Sequence, residues 1–275
     1  MVNKNNNLLL SIIIISTNEG KDLKPCLESI LSSSDNSYPF DVYVVDNNCS
    51  DGTSSIVLKD FPNVNLIIND SKYGFAQNNN QVIRMTNSKY ILLLNPDTIV
   101  DIKKIGEMID FFDKNPDIAL CGPKLLNPDG SLQYNCRRFP TLAAVLMRWA
   151  SIDKYFPNNT VLKKYMMKDL DHNKISNVDW LLGAFLLIKR EIFSKVGYFD
   201  EKFSPLYYED VDLCYRVKKA GYRVVYYPKV EVIHFYHRES AQGIFNKMTF
   251  AHMKNVARFF LKHGYRLSNK VNKIK

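Results

Sequence analysis

Three polar clusters, each directly behind an apolar run, hold side chains that could do chemistry: Thr17-Asn18-Glu19, Asp46-Asn47-Asn48 and Asn95-Pro96-Asp97. A carboxylate at the end of a strand can hold a divalent cation. Such a cation, bridging two phosphates, neutralises the charge that develops on a departing diphosphate. Asp97 follows a leucine-rich run and a proline, and the next helical pattern starts only near Ile102, so helix capping accounts for it poorly. An independent acidic group, Glu209-Asp210-Val211-Asp212, opens a helical pattern that starts acidic and ends basic, as the helix dipole favours. Helical spacing puts Glu209 and Asp212 on one face and turns Asp210 elsewhere, so one carboxylate can face a cleft while its neighbours cap or orient. His234, behind the apolar run 230–233, is of a type that ligates metals. Structural alternatives stand beside each reading. Ser50-Asp51 suits a helix cap, acids at a helix start satisfy the dipole, and a lone histidine behind a strand is commonly a core residue.

Positioning these groups falls to short β-branched or leucine-rich runs at 8–16, 41–45 and 90–94, which read as buried parallel strands. Helical stretches at 20–32, 50–59 and 74–85 separate them, with a further short strand at 64–68. The alternation predicts an α/β, Rossmann-like, mostly parallel sheet flanked by helices, whose ligands bind beyond the carboxyl ends of the strands. All three polar clusters belong to that rim. After Asp117 the pattern changes to a strand at 118–122, a hairpin tip at Asn127-Pro128-Asp129-Gly130 and an irregular stretch from 137 to 178 containing a helix at 141–150. A single core strand at 180–188 and helices at 190–196 and 209–220 follow.

With 275 residues, 46% of them hydrophobic and 24% charged, the chain fits one large domain or two lobes around a sizeable core. Lys and Arg number 37 against 28 Asp and Glu, a formal charge of +9, which suits nucleotides, diphosphates or an anionic bilayer surface. Nucleic acid fits the charge alone, since no aromatic-basic platform or recognition helix accompanies it. The five cysteines, Cys26, Cys49, Cys121, Cys136 and Cys214, are widely spaced and form no zinc pattern, so a reducing, cytoplasmic setting is expected. The run 8–15 is short for a signal sequence and far below the roughly 20 residues that span a bilayer, so it reads as a buried strand. Asn5-Asn6-Asn7 is the only low-complexity tract.

Several motifs stand in the order found in family 2 glycosyltransferases. They are Ser16-Thr17-Asn18-Glu19, Val44-Val45-Asp46-Asn47-Asn48-Cys49-Ser50-Asp51-Gly52, Gly74-Phe75-Ala76-Gln77-Asn78-Asn79-Asn80 and Leu93-Leu94-Asn95-Pro96-Asp97, then Gly183-Ala184-Phe185, Gly197-Tyr198-Phe199-Asp200-Glu201 and Glu209-Asp210-Val211-Asp212-Leu213-Cys214-Tyr215-Arg216, with Gly221 and His234 beyond. The chain resembles that family over residues 8–240, and within it the bacterial rhamnosyltransferases. The resemblance implies a GT-A fold, with a nucleotide-sugar half at 8–100, an acceptor half at 101–240, and transfer of a sugar with inversion from a TDP- or UDP-type donor to a glycan or lipid-linked glycan. It implies that Thr17, Glu19 and Asp46 contact the nucleoside, with Asn18 in the same loop, and that Asn79, Asn80 and Asn95 line the donor side. Asp97 would coordinate Mg2+ or Mn2+ with His234 as a further ligand, and Asp210 would be the catalytic base. Glu209 is expected to assist the base, and Trp180 and Arg216 to contact the acceptor. Asn95 stands where the family's motif has an acid, leaving one charge fewer at the metal, and Asn78 stands where glycine is frequent.

Residues 241–275 form a basic helix and tail with Phe245, Met248, Val256, Phe259 and Phe260 largely on one side and Lys247, His252, Lys254, Arg258, Lys262 and His263 around it. Arg266, Lys270, Lys273 and Lys275 continue the tail. Such a helix either lies in a bilayer interface, at the inner face of the cell membrane, or packs on the main domain with a solvated basic face. A sugar-1-phosphate nucleotidylyltransferase would want a glycine-rich basic loop where Thr17-Asn18-Glu19 stands. A non-catalytic nucleotide-sugar binding module would tolerate the loss of Asp210, which is present.

Overall fold

A computed structural model describes residues 8–32, 38–156, 158–236 and 247–265. Asn5-Asn6-Asn7, Phe245, Arg266, Lys270, Lys273 and Lys275 lie outside them. In the first part β1 (Leu10–Ser16), α1 (Gly20–Leu31), β2 (Phe40–Asp46), α2 (Thr53–Asp60), β3 (Asn65–Ile68), α3 (Phe75–Met85) and β4 (Tyr90–Leu94) alternate as expected. Then come β5 (Thr98–Ile99), α4 (Ile102–Asp113), β6 (Ile118–Leu126), β7 (Leu132–Gln133), β8 (Cys136–Arg137), α5 (Leu142–Trp149), α6 (Ile152–Tyr155), α7 (Thr160–Tyr165) and β9 (Ser176–Val178). The last are β10 (Trp180–Leu181), β11 (Phe185–Lys189), α8 (Ile192–Val196), α9 (Glu209–Lys219), β12 (Arg223–His234) and α10 (Lys247–His263).

The main sheet runs β3-β2-β1-β4-β11-β6-β12-β5, with β7 beside β6 and β9 beside β12. Its first four strands are parallel, β11 is antiparallel to both β4 and β6, and β12 returns parallel to β6. Alternate side chains feed two separate cores. Leu10, Ile12, Ile14, Leu92 and Leu94 pack on one face, and Ile13, Ile91 and Leu93 on the other. Burial of both faces is why these strands read as unbroken apolar runs rather than alternating ones.

The second half departs from expectation in three places. The run 180–188 is two strands, because the chain breaks at Leu182-Gly183-Ala184. There the Leu182 N–H donates to the Asn135 carbonyl at 2.9 Å, the Gly183 N–H turns to Asp210, and β10 pairs with β8 in a small sheet of its own. The stretch from 137 to 178 is not irregular but carries three helices and the paired strand β9. The strand ending at His234 starts at Arg223, and its pairing with β6 shifts register between Tyr227 and Glu231, across Pro228, which has no N–H to give a ladder. Past that shift strict alternation buries Val230, Val232 and His234 together.

Helix α10 packs its apolar face on the domain: Val256, Phe259 and Phe260 join the core beside Tyr208 and Tyr215 of the α9 region. Polar ties reinforce the contact. Lys262 Nζ and His263 Nε2 reach Asp212 at 2.8 and 2.7 Å, and Lys262 also reaches Asp200 at 2.6 Å.

Candidate active site

The loops behind β1 and β2 are joined into one rim. Asn18, in a left-handed conformation (φ 64°), accepts the Ser50 N–H at 2.7 Å, and the Glu19 N–H donates to Ser16 Oγ at 3.3 Å. Asp51 accepts the Gly20 N–H at 2.8 Å on one oxygen and the Thr53 N–H at 3.1 Å on the other, so a single carboxylate serves the N-termini of α1 and α2. Partial burial pushes its carboxyl up, yet the hydrogen bonds from Thr53 and Gly20 hold it below the ordinary value. Thr17 and Asn18 are exposed on this rim and Glu19 is half-buried. The Asp46 carboxylate beneath them is turned inward, accepting the Cys49 N–H at 2.7 Å and the Ser54 hydroxyl.

At the end of β4 the antiparallel pairing of β5 with β12 sets His234 opposite Thr98, which brings the imidazole onto the Asn95-Pro96-Asp97 loop. His234 Nε2 lies 3.2 Å from Asp97 Oδ1 and 3.4 Å from Asn95 Nδ2, and all three side chains are buried or half-buried. The other ring nitrogen, Nδ1, lies 2.6 Å from Gln133 Oε1. The Gln133 amide is oriented from behind, since its Nε2 donates to Asn127 Oδ1 at 3.0 Å. With Oε1 thus accepting from Nδ1–H, Nε2 is the nitrogen turned to Asp97. A histidine whose far nitrogen is hydrogen-bonded, beside a buried carboxylate, is how metal-binding histidines are held. The pair therefore fits a divalent cation whose remaining ligands come from elsewhere; among the described residues no third His, Cys, Asp or Glu joins it.

Asp210 sits on the other side of the same loop system. Its Oδ2 accepts the Gly183 N–H at 3.1 Å and its Oδ1 the Val211 N–H at 2.8 Å. The next residue, Ala184, accepts the Asn95 N–H at 2.9 Å, so two consecutive residues tie the carboxylate of Asp210 to the Asn95-Pro96-Asp97 loop. Glycine at 183 is required by contact, because a Cβ there would stand 3.2 Å from the Phe75 ring. At Gly74 a Cβ would meet the Pro205 carbonyl at 2.8 Å, where the Phe75 N–H now donates at 2.8 Å. Tyr207 and Tyr208, directly before the acids, have φ of 79° and 75°, a backbone that costs about 1–3 kcal/mol per residue and clusters at functional turns. Asn255 of α10, fully buried, restrains this turn by donating to the Leu206 and Tyr207 carbonyls at 3.0 and 3.2 Å.

Burial lifts the Asp210 carboxyl to about 6, against the pull of the Val211 and Gly183 amides and the Arg137 charge. Glu209 is pushed well above the ordinary carboxyl range, first by burial and then by the charge of Asp210. Both acids are thus raised by burial, and Asp210 ionises near neutrality. That suits a general base, whose proton affinity should lie close to the working pH.

The sequence profile of Glycosyl transferase family 2 matches residues 11–197. The chain belongs to that family. It is 29% identical over 246 residues to N-acetylglucosaminyl-diphospho-decaprenol L-rhamnosyltransferase of Mycobacterium tuberculosis, covering 86% of this chain and 78% of that protein. To the rhamnosyltransferase WbbL of Escherichia coli it is 28% identical over 264 residues, covering 91% and 92%. Among solved structures it is similar to GalNAc-T7 with UDP, GalNAc and Mn2+, with a TM-score of 0.67 at 16% identity over 94% of this chain. It is also similar to the mannosyltransferase PcManGT of Pyrobaculum calidifontis with GDP-Man and Mn2+, with a TM-score of 0.58 at 17% identity over 92% of this chain. The chain spans 49% of the first of these structures and 63% of the second, and at such identities the likeness speaks for the GT-A fold. These relatives favour neither a nucleotidylyltransferase nor a non-catalytic binding module.

In this glycosyltransferase not every expected residue faces the site. Asn80 is fully buried and staples α3 to the loop before α9, donating to the Phe199 carbonyl and Glu201 Oε1 and accepting the Phe199 N–H, so it does not line the donor side. Asn79 donates to the Phe75 carbonyl at 2.9 Å, and its buried Oδ1 has no hydrogen-bond partner among the described residues. Arg216 is a strut, not an acceptor contact. Its guanidinium holds Asp212 at 2.8 Å and the carbonyls of Val196, Gly197 and Tyr198 at the end of α8. Trp180 is buried in the core with its indole N–H on the Arg138 carbonyl at 2.9 Å. Asp212 points away from Asp210 into the cations of α9 and α10, so the acid that matters to Asp210 is Glu209. Gln133, Arg137 and Asn255 escaped the sequence reading, because each acts on a residue far along the chain. A surface cavity of about 640 Å3 near Lys89, Lys189 and Arg190 contains none of the site residues.

Proposed function

We propose that this protein is an inverting glycosyltransferase that moves a hexose, rhamnose favoured, from a TDP- or UDP-linked donor to a hydroxyl of a lipid-linked glycan in cell-surface polysaccharide synthesis. The observation that carries this reading is the buried carboxylate of Asp210, seated on the Gly183 amide and lifted to about 6 by burial. Asp210 takes the proton of the acceptor hydroxyl as that oxygen bonds to the anomeric carbon. The bond from that carbon to the diphosphate breaks on the opposite face, the diphosphate leaves with the electron pair, and the configuration inverts. Thr17, Asn18 and Glu19 form the rim on which the nucleoside rests, and Asp46 beneath them holds the Cys49 amide and the Ser54 hydroxyl that shape it. Asp97 and His234, with Asn95 beside them, would hold Mg2+ or Mn2+. Such an ion supplies charge neutralisation for the departing diphosphate.

The sugar and acceptor classes are supported by the printed names of the relatives, two of which are rhamnosyltransferases and one of which acts on a decaprenol-linked sugar. Five cysteines, none of them in a disulfide, favour work at the cytoplasmic face of the membrane. The test is a panel of TDP-, UDP- and GDP-sugars with a lipid-linked acceptor, scored for transfer. One donor should be used well by the native protein, and Asp210→Asn should abolish transfer while donor binding persists. Transfer by Asp210→Asn at the native rate refutes the assignment of the base.

A further inference from the structure

Helices α5, α6 and α7 form a projection between β8 and β9, and α5 is held to the domain by Ala144 and Val145. Its outward face is apolar. Leu142, Leu146 and Trp149, at spacings of four and three, share one side of the helix and are 50%, 53% and 46% exposed. Tyr155 and Phe156, at the end of α6, are 77% and 63% exposed. A helical stripe of large apolar residues in water marks an interaction surface rather than the scattered exposure normal for globular proteins. Trp and Tyr are the side chains that favour the boundary between hydrocarbon and water.

Charge selects the occupant. From Arg138 to Asp171 the sequence has six cations, Arg138, Arg148, Lys154, Lys163, Lys164 and Lys168, against three acids, Asp153, Asp169 and Asp171; Asp169 pairs with Arg138 at 3.0 Å, and the excess lies in a chain of formal charge +9. The projection also borders the candidate active site. Tyr165 of α7 packs against the core cluster that contains Tyr208 and Val211, the residues on either side of Glu209 and Asp210. No described helix is long and apolar enough to cross a membrane; Val256, Phe259 and Phe260 of α10 are covered by the domain, while Phe250 and Leu261 of the same helix are exposed singly rather than as a stripe.

We infer that the outer face of α5 and the end of α6 form a peripheral docking surface for an anionic lipid bilayer, seating the mouth of the site against the membrane that carries the acceptor. The apolar stripe enters the headgroup region and the surrounding cations meet anionic headgroups. The role of this contact rests on the glycosyltransferase reading, but the contact itself is measured without donor or acceptor.

The experiment mixes the full chain with vesicles of phosphatidylglycerol and phosphatidylcholine, and with vesicles of phosphatidylcholine alone, followed by co-sedimentation. Trp180 is buried and Trp149 exposed, so a change in tryptophan emission of the native protein reports on α5. The expected result is a blue shift and sedimentation with the anionic vesicles, weakened by salt. The variant L142S/L146S/W149S should bind at least tenfold more weakly with its thermal transition unchanged, and K154Q/K163Q/K164Q should bind more weakly to the anionic vesicles. No blue shift with the native protein, or undiminished sedimentation of the apolar variant, overturns the inference. So does a concentration-dependent dimer that the apolar variant abolishes, which would make a second copy the occupant. Failure of the transferase reading would appear separately, as vesicle binding without transfer of any sugar.

Discussion

Lowering the pH from 7 to 5 should slow sugar transfer about tenfold, because Asp210 must be ionised to accept a proton. Burial raises its carboxyl from the ordinary 3.8 to about 6. That change corresponds to about 3 kcal/mol of preference for the neutral acid, at roughly 1.36 kcal/mol per pH unit. With a midpoint near 6, about nine-tenths of the enzyme has the base ready at pH 7 and about one-tenth at pH 5; an ordinary aspartate would lose almost nothing over that range. The assay is a single-turnover rate at saturating donor and metal, so that it reports the transfer step and not donor binding. Arg137→Met should shift the acid limb to higher pH, because the Arg137 cation favours the ionised form of Asp210. A rate that stays flat down to pH 5, or an acid limb that Arg137→Met moves downward, refutes the reasoning.

Gln133→Leu should weaken Mn2+-dependent binding of the nucleoside diphosphate about 10–100-fold, as losses behind a metal-bound histidine do; calorimetry with and without Mn2+ decides, and an equal loss without metal refutes it. Asp212→Asn should lower the unfolding free energy by about 1.5–3 kcal/mol, because it removes the charge of a fully buried carboxylate that is hydrogen-bonded to Arg216, Lys262 and His263. Burial pushes the Asp212 carboxyl up, but His263, Arg216 and Lys262 bring it down to about 2, so its contribution is present above pH 4 and lost as the pH falls towards 2. Urea denaturation at pH 7 and at pH 2.5 measures both effects, and a loss below about 1 kcal/mol at pH 7 contradicts the burial argument. Phe259→Ala should cost about 3–5 kcal/mol by leaving a cavity under α10. Asn255→Ala should lower kcat with little change in donor KM, because it releases the Leu206 and Tyr207 carbonyls that fix the turn before Asp210; a change in donor KM alone speaks against that role.

Much of the parallel half was legible because its signals are local. β1, β2 and β4 are buried on both faces and read as continuous apolar runs, and the Asp101 cap of α4 falls where the helical pattern begins. The break inside 180–188 was illegible, since an apolar run gives no sign that one amide within it belongs to a carboxylate 27 positions later. Asn79 and Asn80 are adjacent and chemically identical, yet Asn80 is bound to a loop 119 residues away, which only packing specifies.

By itself the sequence determined the α/β class, the rim of polar residues behind the parallel strands and the acidic start of α9, because period, turn chemistry and charge order act over a few neighbouring residues. Tertiary structure decided which of those groups meet. Pairing of β5 with β12 sets His234 beside Asn95 across 139 positions, and Gln133 then orients the imidazole. It also decided which of three acids can be a base. Proton affinity is set by desolvation and by partners supplied from distant elements, so burial raises Asp210 against the pull of Gly183 and Arg137, burial and Asp210 push Glu209 up, and the cations of α9 and α10 bring Asp212 down.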